Sequence, residues 1–479
     1  MKLSELSGET FSPDPVIAGL TADSRAVTRG FLFAALPGVN FDGAKFIPQA
    51  EENGACAVLA RPGVASRLPI VVDTEPRKRL SQMAARFYPR QPQTIAGITG
   101  TNGKTSTARF TAQIWQRLGK VSGSLGTLGA QAENYDRNLI HTTPDPVMLH
   151  QTLQEMADEG VTHLAMEVSS HGLVQNRADG VKFKIAAFTN ITQDHLDYHA
   201  SFNEYFAAKA RLFDELVSDE GVVVVNADGE GAEEIVNLVK KRGLRVITTG
   251  VKGESVQITE AVPQLSGLNL SIVVDGKTYV VTTPLIGAFQ AENVALAVGV
   301  AMASGAGAGD IIPLLEYITG APGRMQMVSS INGAGVYVDY AHTPDAVATA
   351  LKAIRPHAKG RVVTIIGAGG DRDKAKRPLM GAAAFENADT VIVTDDNPRN
   401  EGPAAIRKQV MEGCPDAQEI GDREEAIAAG VAMLKDGDVL LILGKGHETG
   451  QVVGDKILPF DDAEVASRAI ANRMKELGR

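Results

Sequence analysis

At 479 residues the chain is long enough for about three domains of ordinary size, and it needs neither disulfide staples nor a structural metal to bury a core. Its 44% hydrophobic and 22% charged residues exclude a disordered chain. The formal net charge of −10 argues against a general nucleic-acid binder, and two distant cysteines, Cys56 and Cys414, exclude a disulfide framework or cysteine-rich zinc site and fit a reducing cytoplasm.

Residues 1–15 show no apolar centre of a secretion signal. Short apolar runs at 31–36 and 55–60, with turns between them, predict a small α/β unit that ends in the Pro-rich stretch 88–93. A second segment opens on the strand-like run 93–98 and continues with predicted strands at 162–168, 185–190 and 221–226. The uncharged stretch 293–309 falls short of the ~20 residues that a membrane span needs. Gly305, Gly307 and Gly309 crowd its end, so it reads as a small-residue helix inside a soluble domain, with no membrane partner. A third segment carries apolar runs at 335–340, 361–367, 390–394 and 439–443. Near-continuous apolar runs joined by helical patterns predict parallel sheets covered on both faces, in which ligands meet the loops at strand C-termini. The expected domains are 1–88, 89–322 and 323–479.

The run Gly97-Ile98-Thr99-Gly100-Thr101-Asn102-Gly103-Lys104-Thr105-Ser106 lies between a predicted strand and a predicted helix. Glycines let backbone N–H groups wrap a phosphate, the lysine adds a point charge, and a hydroxyl at 105 can hold Mg²⁺. The strict P-loop places its first glycine where Ile98 stands, so the run is a variant of that loop. Downstream, one predicted strand ends at Glu167 and another at Asn190, shortly before His195. Mg²⁺ takes oxygen ligands first and His less often, which suits Glu167, whereas His195 is ambiguous between a ligand and part of a helix-cap network with Asp194.

Gly100-Thr101-Asn102-Gly103-Lys104-Thr105, then Glu167-Val168-Ser169-Ser170-His171, then Asn190-Ile191-Thr192-Gln193-Asp194-His195-Leu196-Asp197 resemble the ATP-dependent Mur ligases and their folylpolyglutamate synthetase relatives. The resemblance extends to Gly323-Arg324-Met325 and to Asp339-Tyr340-Ala341-His342-Thr343-Pro344-Asp345 and covers essentially the whole chain. It implies three α/β domains: a small UDP-binding domain, a central P-loop ATPase-like domain with a parallel sheet, and a C-terminal Rossmann-like domain. It also implies a monomeric cytoplasmic ligase that forms an amide with ATP and Mg²⁺ through an acyl phosphate. Gly100, Thr101, Asn102, Gly103, Lys104, Thr105 and Ser106 then hold the nucleotide phosphates, with Lys104 catalytic. Asn293 and Arg324 lie toward the base and ribose, with Asp339 and His342 nearby. Thr105, Glu167, His195 and Lys209 are the implied metal-site residues. Lys209 aligns with a lysine that becomes a carbamate in many of these ligases; on its residues alone it is a helix-surface lysine.

Within the family, Asp23-Ser24-Arg25 and 30–43 look like the UDP-binding domain of the third and fourth muramyl ligases. That makes Ser24 a uridine-nucleotide contact, with Ala22 and the loop 39–41 beside it. Thr142, Thr143, Ser169, Gln175 and Arg177 match positions that hold the anionic UDP-muramyl dipeptide. Asp396-Asn397-Pro398-Arg399 matches the motif of ligases that add meso-diaminopimelate, which is lysine with a second carboxylate at its far end. A planar guanidinium can grip that carboxylate with two hydrogen bonds. Arg372, Gly444 and Glu448 complete the implied amino-acid pocket, and closure of the third domain is expected to assemble the site. Three other readings stand beside this one: the lysine-adding ligase, a nucleotide switch, and an NAD-dependent oxidoreductase. The last is prompted by Gly367, Gly369 and Gly370, but the third glycine of the dinucleotide fingerprint is missing.

Overall fold

The computed structural model describes residues 1–38, 42–192, 201–264 and 267–476. The expected contact of the loop 39–41, and the expected role of His195, lie outside the described residues. The chain divides into two compact units, Met1–Glu254 with Leu296–Gly307, and Ser255–Ala295 with Ala308–Arg479.

The first unit holds two sheets. The smaller is parallel, in the order Gly19–Thr21, Phe31–Ala35, Ala57–Ala60 and Ile70–Val72. The helix Pro76–Phe87 covers it, burying Leu80, Met83 and Ala84 in a cluster with Leu32 and Leu59. In the larger sheet the strands Arg245–Gly250, Val217–Asn226, Phe183–Phe188, Thr94–Thr99, His163–Glu167 and Ser122–Gly126 follow one another in parallel. Its interior strands are apolar on both faces, as a sheet covered by helices requires. Thr94–Thr99 is central, so the glycine-rich loop leaves the middle of the sheet at its C-terminal edge.

The second unit is built around the sheet Gln326–Ile331, Ala334–Asp339, Val439–Leu443, Val362–Ile366, Thr390–Val393 and Gln418–Glu419. Its two faces carry separate cores, one around Leu351, Met380 and Leu441, the other around Ile365, Ile427 and Leu440. The polar loops after Asp339, Ile366, Val393 and Leu443 all leave the same edge, because those four strands run parallel.

Parallel sheets were the expectation, and the structure has them, with antiparallel strands added that the sequence reading did not include. Gly129–Ala132 and Tyr135–Arg137 add to the first unit's large sheet antiparallel. In the second unit Val256–Gln264, Gly267–Val274 and Lys277–Thr283 form an antiparallel meander, and Gln326–Ile331 pairs antiparallel with Ala334–Asp339. The cause is local. Asp275 and Gly276 have φ of 51° and 74°, and Asn332 and Gly333 have 50° and 79°. Two successive residues at positive φ make the hairpin turn whose twist matches its strands, and Asp-Gly and Asn-Gly favour it. The uncharged stretch 293–309 falls largely in the helix Gln290–Ala303, and no helix among the described residues is long and apolar enough to cross a membrane.

Candidate functional site

The phosphate loop is held from behind by its neighbour. Gly100 adopts φ 148°, and a Cβ there would lie 1.8 Å from the Thr189 hydroxyl, so only glycine fits. Thr101 N–H donates to the Asn190 carbonyl at 2.9 Å, and Asn102 N–H to Asn190 Oδ1 at 3.0 Å. Gly103, at φ 82°, turns the chain into the helix Lys104–Arg117. Lys104 Nζ donates to the carbonyls of Gly100 and Thr101 at 2.8 and 2.7 Å, folded over the loop it would share with a phosphate. Backbone N–H groups at a helix N-terminus, joined by an ammonium, form an anion cradle.

Behind the cradle, Thr105 Oγ1 donates to Glu167 Oε2 at 2.9 Å, with both side chains buried. Glu167 also accepts from the Thr127 N–H at 2.8 Å. Gly126 makes room for it, since a Cβ there would stand 2.1 Å from Glu167 Oε1. A hydroxyl and a carboxylate, both hard oxygen donors beside a phosphate cradle, suit Mg²⁺. Among the described residues no group of three or more His, Cys, Asp or Glu converges.

Lys209 departs from the helix-surface reading that its residues alone suggest. It lies on the helix Phe202–Arg211 but is 1% exposed. Its Nζ donates to the Gly100 carbonyl at 2.7 Å and sits 4.4 Å from the Tyr205 ring centre. A lysine costs free energy to bury, so one pointed at the phosphate loop is a candidate for function rather than solvation.

Next to Glu167, Thr143 Oγ1 donates to the Glu167 carbonyl at 3.2 Å and accepts from Ser169 N–H at 3.0 Å. Thr142 Oγ1 lies 3.0 Å from Thr127 Oγ1. Ser169 caps the helix Ser170–Val174 by accepting from Gly172 N–H. Arg177 donates to the Thr143 carbonyl at 2.7 Å and to Gln175 Oε1 at 2.8 Å. Thr142, Thr143, Ser169, Gln175 and Arg177 are thus one connected patch that adjoins the Thr105–Glu167 pair. Ser24 is buried and donates to Gln49 Oε1 at 2.7 Å, while Ala22 is exposed beside it.

In the second unit, Asp339 accepts from Met325 N–H at 2.7 Å and from Ala341 N–H at 2.8 Å, which fixes the strand end. The Arg324 guanidinium lies 4.6 Å from the Tyr340 ring centre, and His342 packs edge-on against the same ring. Asn293 is buried and donates to Gln290 Oε1 at 3.0 Å.

The loop after Val393 lies in a cluster of charged and polar groups. Asp396, Asn397 and Pro398 are buried. Arg399 takes φ 51°, uncommon for a long side chain, and is held there because its N–H donates to the Val452 carbonyl and its carbonyl accepts from Gly454 N–H. Its Nη1 donates to the Gly370 carbonyl at 2.9 Å and lies 3.5 Å from the Asn397 carbonyl. Gly369 leaves space for this guanidinium, and the exposed Arg372 flanks the same glycine. Asn397 Nδ2 donates to Glu448 Oε2 at 2.8 Å. Gly444, at φ 116°, passes so close to Asp396 that a Cβ would meet its Oδ2 at 2.5 Å. Below lies a fully buried ion pair, Arg423–Asp462, whose Arg423 Nη2 also donates to the Leu443 carbonyl at 3.0 Å.

Three family profiles match the chain: the Mur ligase family catalytic domain over 16–88, the Mur ligase middle domain over 98–301, and the Mur ligase glutamate ligase domain over 323–446. A UDP-N-acetylmuramoyl-L-alanyl-D-glutamate--2,6-diaminopimelate ligase of Bradyrhizobium diazoefficiens is 48% identical, over 99% of this chain and 100% of its own. The chain belongs to the Mur ligase family. The ligase of that name from Caulobacter vibrioides is 46% identical over 98% of each chain. A solved structure of a UDP-N-acetylmuramoyl-L-alanyl-D-glutamate--2,6-diaminopimelate ligase superposes with a TM-score of 0.75 at 31% identity, covering 99% of each chain.

For a Mur ligase, the sequence singles out two connected groups that the structure does bring together: 100–106 with Glu167 and Lys209, and 396–399 with Arg372, Gly444 and Glu448. It overlooks Thr127, Tyr340 and Lys445. Thr127 carries no local signal and matters through Glu167, 40 positions away, whereas Tyr340 stands inside the motif 339–345 and was given no role of its own. Lys445 had a visible signal, an ionisable residue between Gly444 and Glu448.

Proposed function

We propose that this chain joins meso-2,6-diaminopimelate to the D-glutamate side-chain carboxylate of UDP-N-acetylmuramoyl-L-alanyl-D-glutamate, with ATP driving amide formation, as a step of peptidoglycan precursor synthesis. A carboxylate resists an amine because its leaving group is poor. Transfer of the γ-phosphoryl group gives an acyl phosphate, which the amine attacks with loss of phosphate. The loop 100–103 and Lys104 orient the phosphates and balance their charge. Mg²⁺, held by Thr105 and Glu167, would supply further charge neutralisation. Ser24 and Ala22 serve the uridine end, the Thr143–Arg177 patch the anionic muramyl dipeptide, and Asn293, Arg324, Asp339 and His342 the nucleotide. Lys209 fits a carbamate, which turns a buried cation into a carboxylate. The reading is of a monomeric, cytoplasmic enzyme that engages neither nucleic acid nor membrane.

One observation carries the amino-acid choice. Asn397 contacts a cation and an anion at once, Arg399 through its backbone carbonyl and Glu448 through its side-chain amide. Opposite charges fixed on one residue match the ammonium and carboxylate of an amino-acid end, and the guanidinium matches the carboxylate that lysine lacks. Phosphate release from ATP with UDP-muramyl dipeptide and a panel of diamino acids tests the proposal. Turnover should be highest with meso-diaminopimelate. A preference for lysine, or release that ignores the amine, would overturn it.

A further inference from the structure

Lys445 is 0% exposed, in a loop where a solvent-facing lysine would be ordinary. An ammonium has three N–H donors, and Lys445 spends one on each of three acceptors: Asn397 Oδ1 at 3.1 Å, Glu448 Oε2 at 3.1 Å and the Gly450 carbonyl at 2.6 Å. Glu448 Oε2 is thereby occupied twice, by Lys445 and by Asn397 Nδ2. Its Oε1 has no hydrogen bond among the described residues, and the side chain is 33% exposed. Asn397 Oδ1 also accepts from Val452 N–H at 2.9 Å, and Val452 in turn supports Arg399. One buried ammonium therefore sits under both the anionic and the cationic arm of the pocket.

We infer that Lys445 is a positioning residue for amino-acid recognition: it turns Glu448 so that Oε1 faces the substrate's ammonium group, and locks the Asn397 side-chain amide, which in turn holds Val452, the residue whose carbonyl accepts from the Arg399 N–H. This rests on the pocket assignment made above. Without Lys445, Glu448 has an easy alternative, since a one-third exposed carboxylate can rotate into water. The fold then keeps its strands while the pocket loses its oriented anion. A buried lysine that only supported the fold would affect all substrates alike.

The test is steady-state kinetics on the full chain with Lys445→Gln, Glu448→Gln and the charge-free pair Lys445→Met/Glu448→Gln, beside wild type. Lys445→Gln should raise KM for meso-diaminopimelate about ten- to hundredfold, the scale of one hydrogen bond between charged groups. KM for ATP and for the UDP-muramyl dipeptide should stay within about twofold and kcat within a few-fold. The charge-free pair should be no worse than a few-fold beyond Glu448→Gln alone, because Lys445 acts largely through that carboxylate. An unchanged KM for diaminopimelate in Lys445→Gln, or a rise in all three KM values together, overturns the inference. If Lys445→Gln does not fold, the pair decides: a diaminopimelate KM more than about tenfold above that of Glu448→Gln alone overturns it. Should Glu448→Gln itself leave amino-acid KM untouched, the pocket assignment fails first, and the two failures are told apart.

Discussion

The two regions proposed to face ligand in this ligase are built on opposite plans. Around 100–106 the proposed cradle is backbone joined by one ammonium, and glycine is required at Gly100 because Thr189 and Asn190 press close behind. Around 396–399 the groups are mostly charged and polar side chains, with the buried Lys445 bonded to Asn397 and Glu448 and the ion pair Arg423–Asp462 bonded to the Leu443 carbonyl. A phosphate is a compact anion that any run of N–H groups can cradle. Telling one diamino acid from another needs a charge fixed in one place, and fixing it needs further charges behind it. The first region should therefore govern kcat for every substrate, and the second KM for one.

The harshest break of that contrast is at Lys104. Lys104→Ala should lower kcat about a hundred- to a thousandfold, as losing one stabiliser of transition-state charge does. Its melting temperature should stay near that of wild type, because the ammonium rests on the carbonyls of its own loop and the side chain is not part of the buried core. Near-normal turnover would remove Lys104 from the chemistry.

Lys209 sharpens the same side. If a carbamate is its working form, Lys209→Ala should lose about a hundredfold in kcat, and small carboxylates in the buffer should partly restore it. Lys209→Arg should not recover, since it restores the wrong charge. Full activity in either variant would return Lys209 to a structural role beside Tyr205.

The smallest expected effect lies outside both regions and serves as a control. His150 is fully buried, and neither ring nitrogen has a hydrogen-bond partner among the described residues. Burial lowers its pKa to about 4 from the usual 6.5. The neutral ring is the folded form, so its contribution is complete above about pH 6.5 and is lost as pH falls toward 4. Linkage puts the loss at about 2 kcal/mol by pH 5. His150→Leu should reduce the fall in melting temperature between pH 7 and pH 5 by several degrees, without moving any KM. An identical acid profile in the variant would show that His150 does not set it.

Much of this contrast was legible in the sequence, and unevenly. The parallel strands were readable because a strand covered on both faces must be apolar throughout, as Val439–Leu443 is. The meander was missed although Asp275-Gly276 announces a hairpin; exposed strands such as Lys277–Thr283 begin and end in polar residues and lack a long apolar run. The phosphate loop reads locally because its chemistry is contiguous, from Gly100 to Thr105. The amino-acid pocket does not, because it is assembled from three separate loops, and resemblance supplied what spacing could not. Lys209 shows the limit most clearly: nothing in its helix says that it is buried, since the group it reaches, the Gly100 carbonyl, lies 109 positions away.

Arg399 puts the central claim to its most direct test. Measure kcat/KM for meso-diaminopimelate and for lysine, with KM for ATP, on wild type and on Arg399→Ala. Wild type should prefer diaminopimelate by at least about ten- to a hundredfold, since lysine leaves the guanidinium without its carboxylate. Arg399→Ala should lose most of that preference through poorer use of diaminopimelate, with KM for ATP nearly unchanged and no new lysine activity. A wild type that favours lysine, or a variant that still uses diaminopimelate normally, would contradict the account.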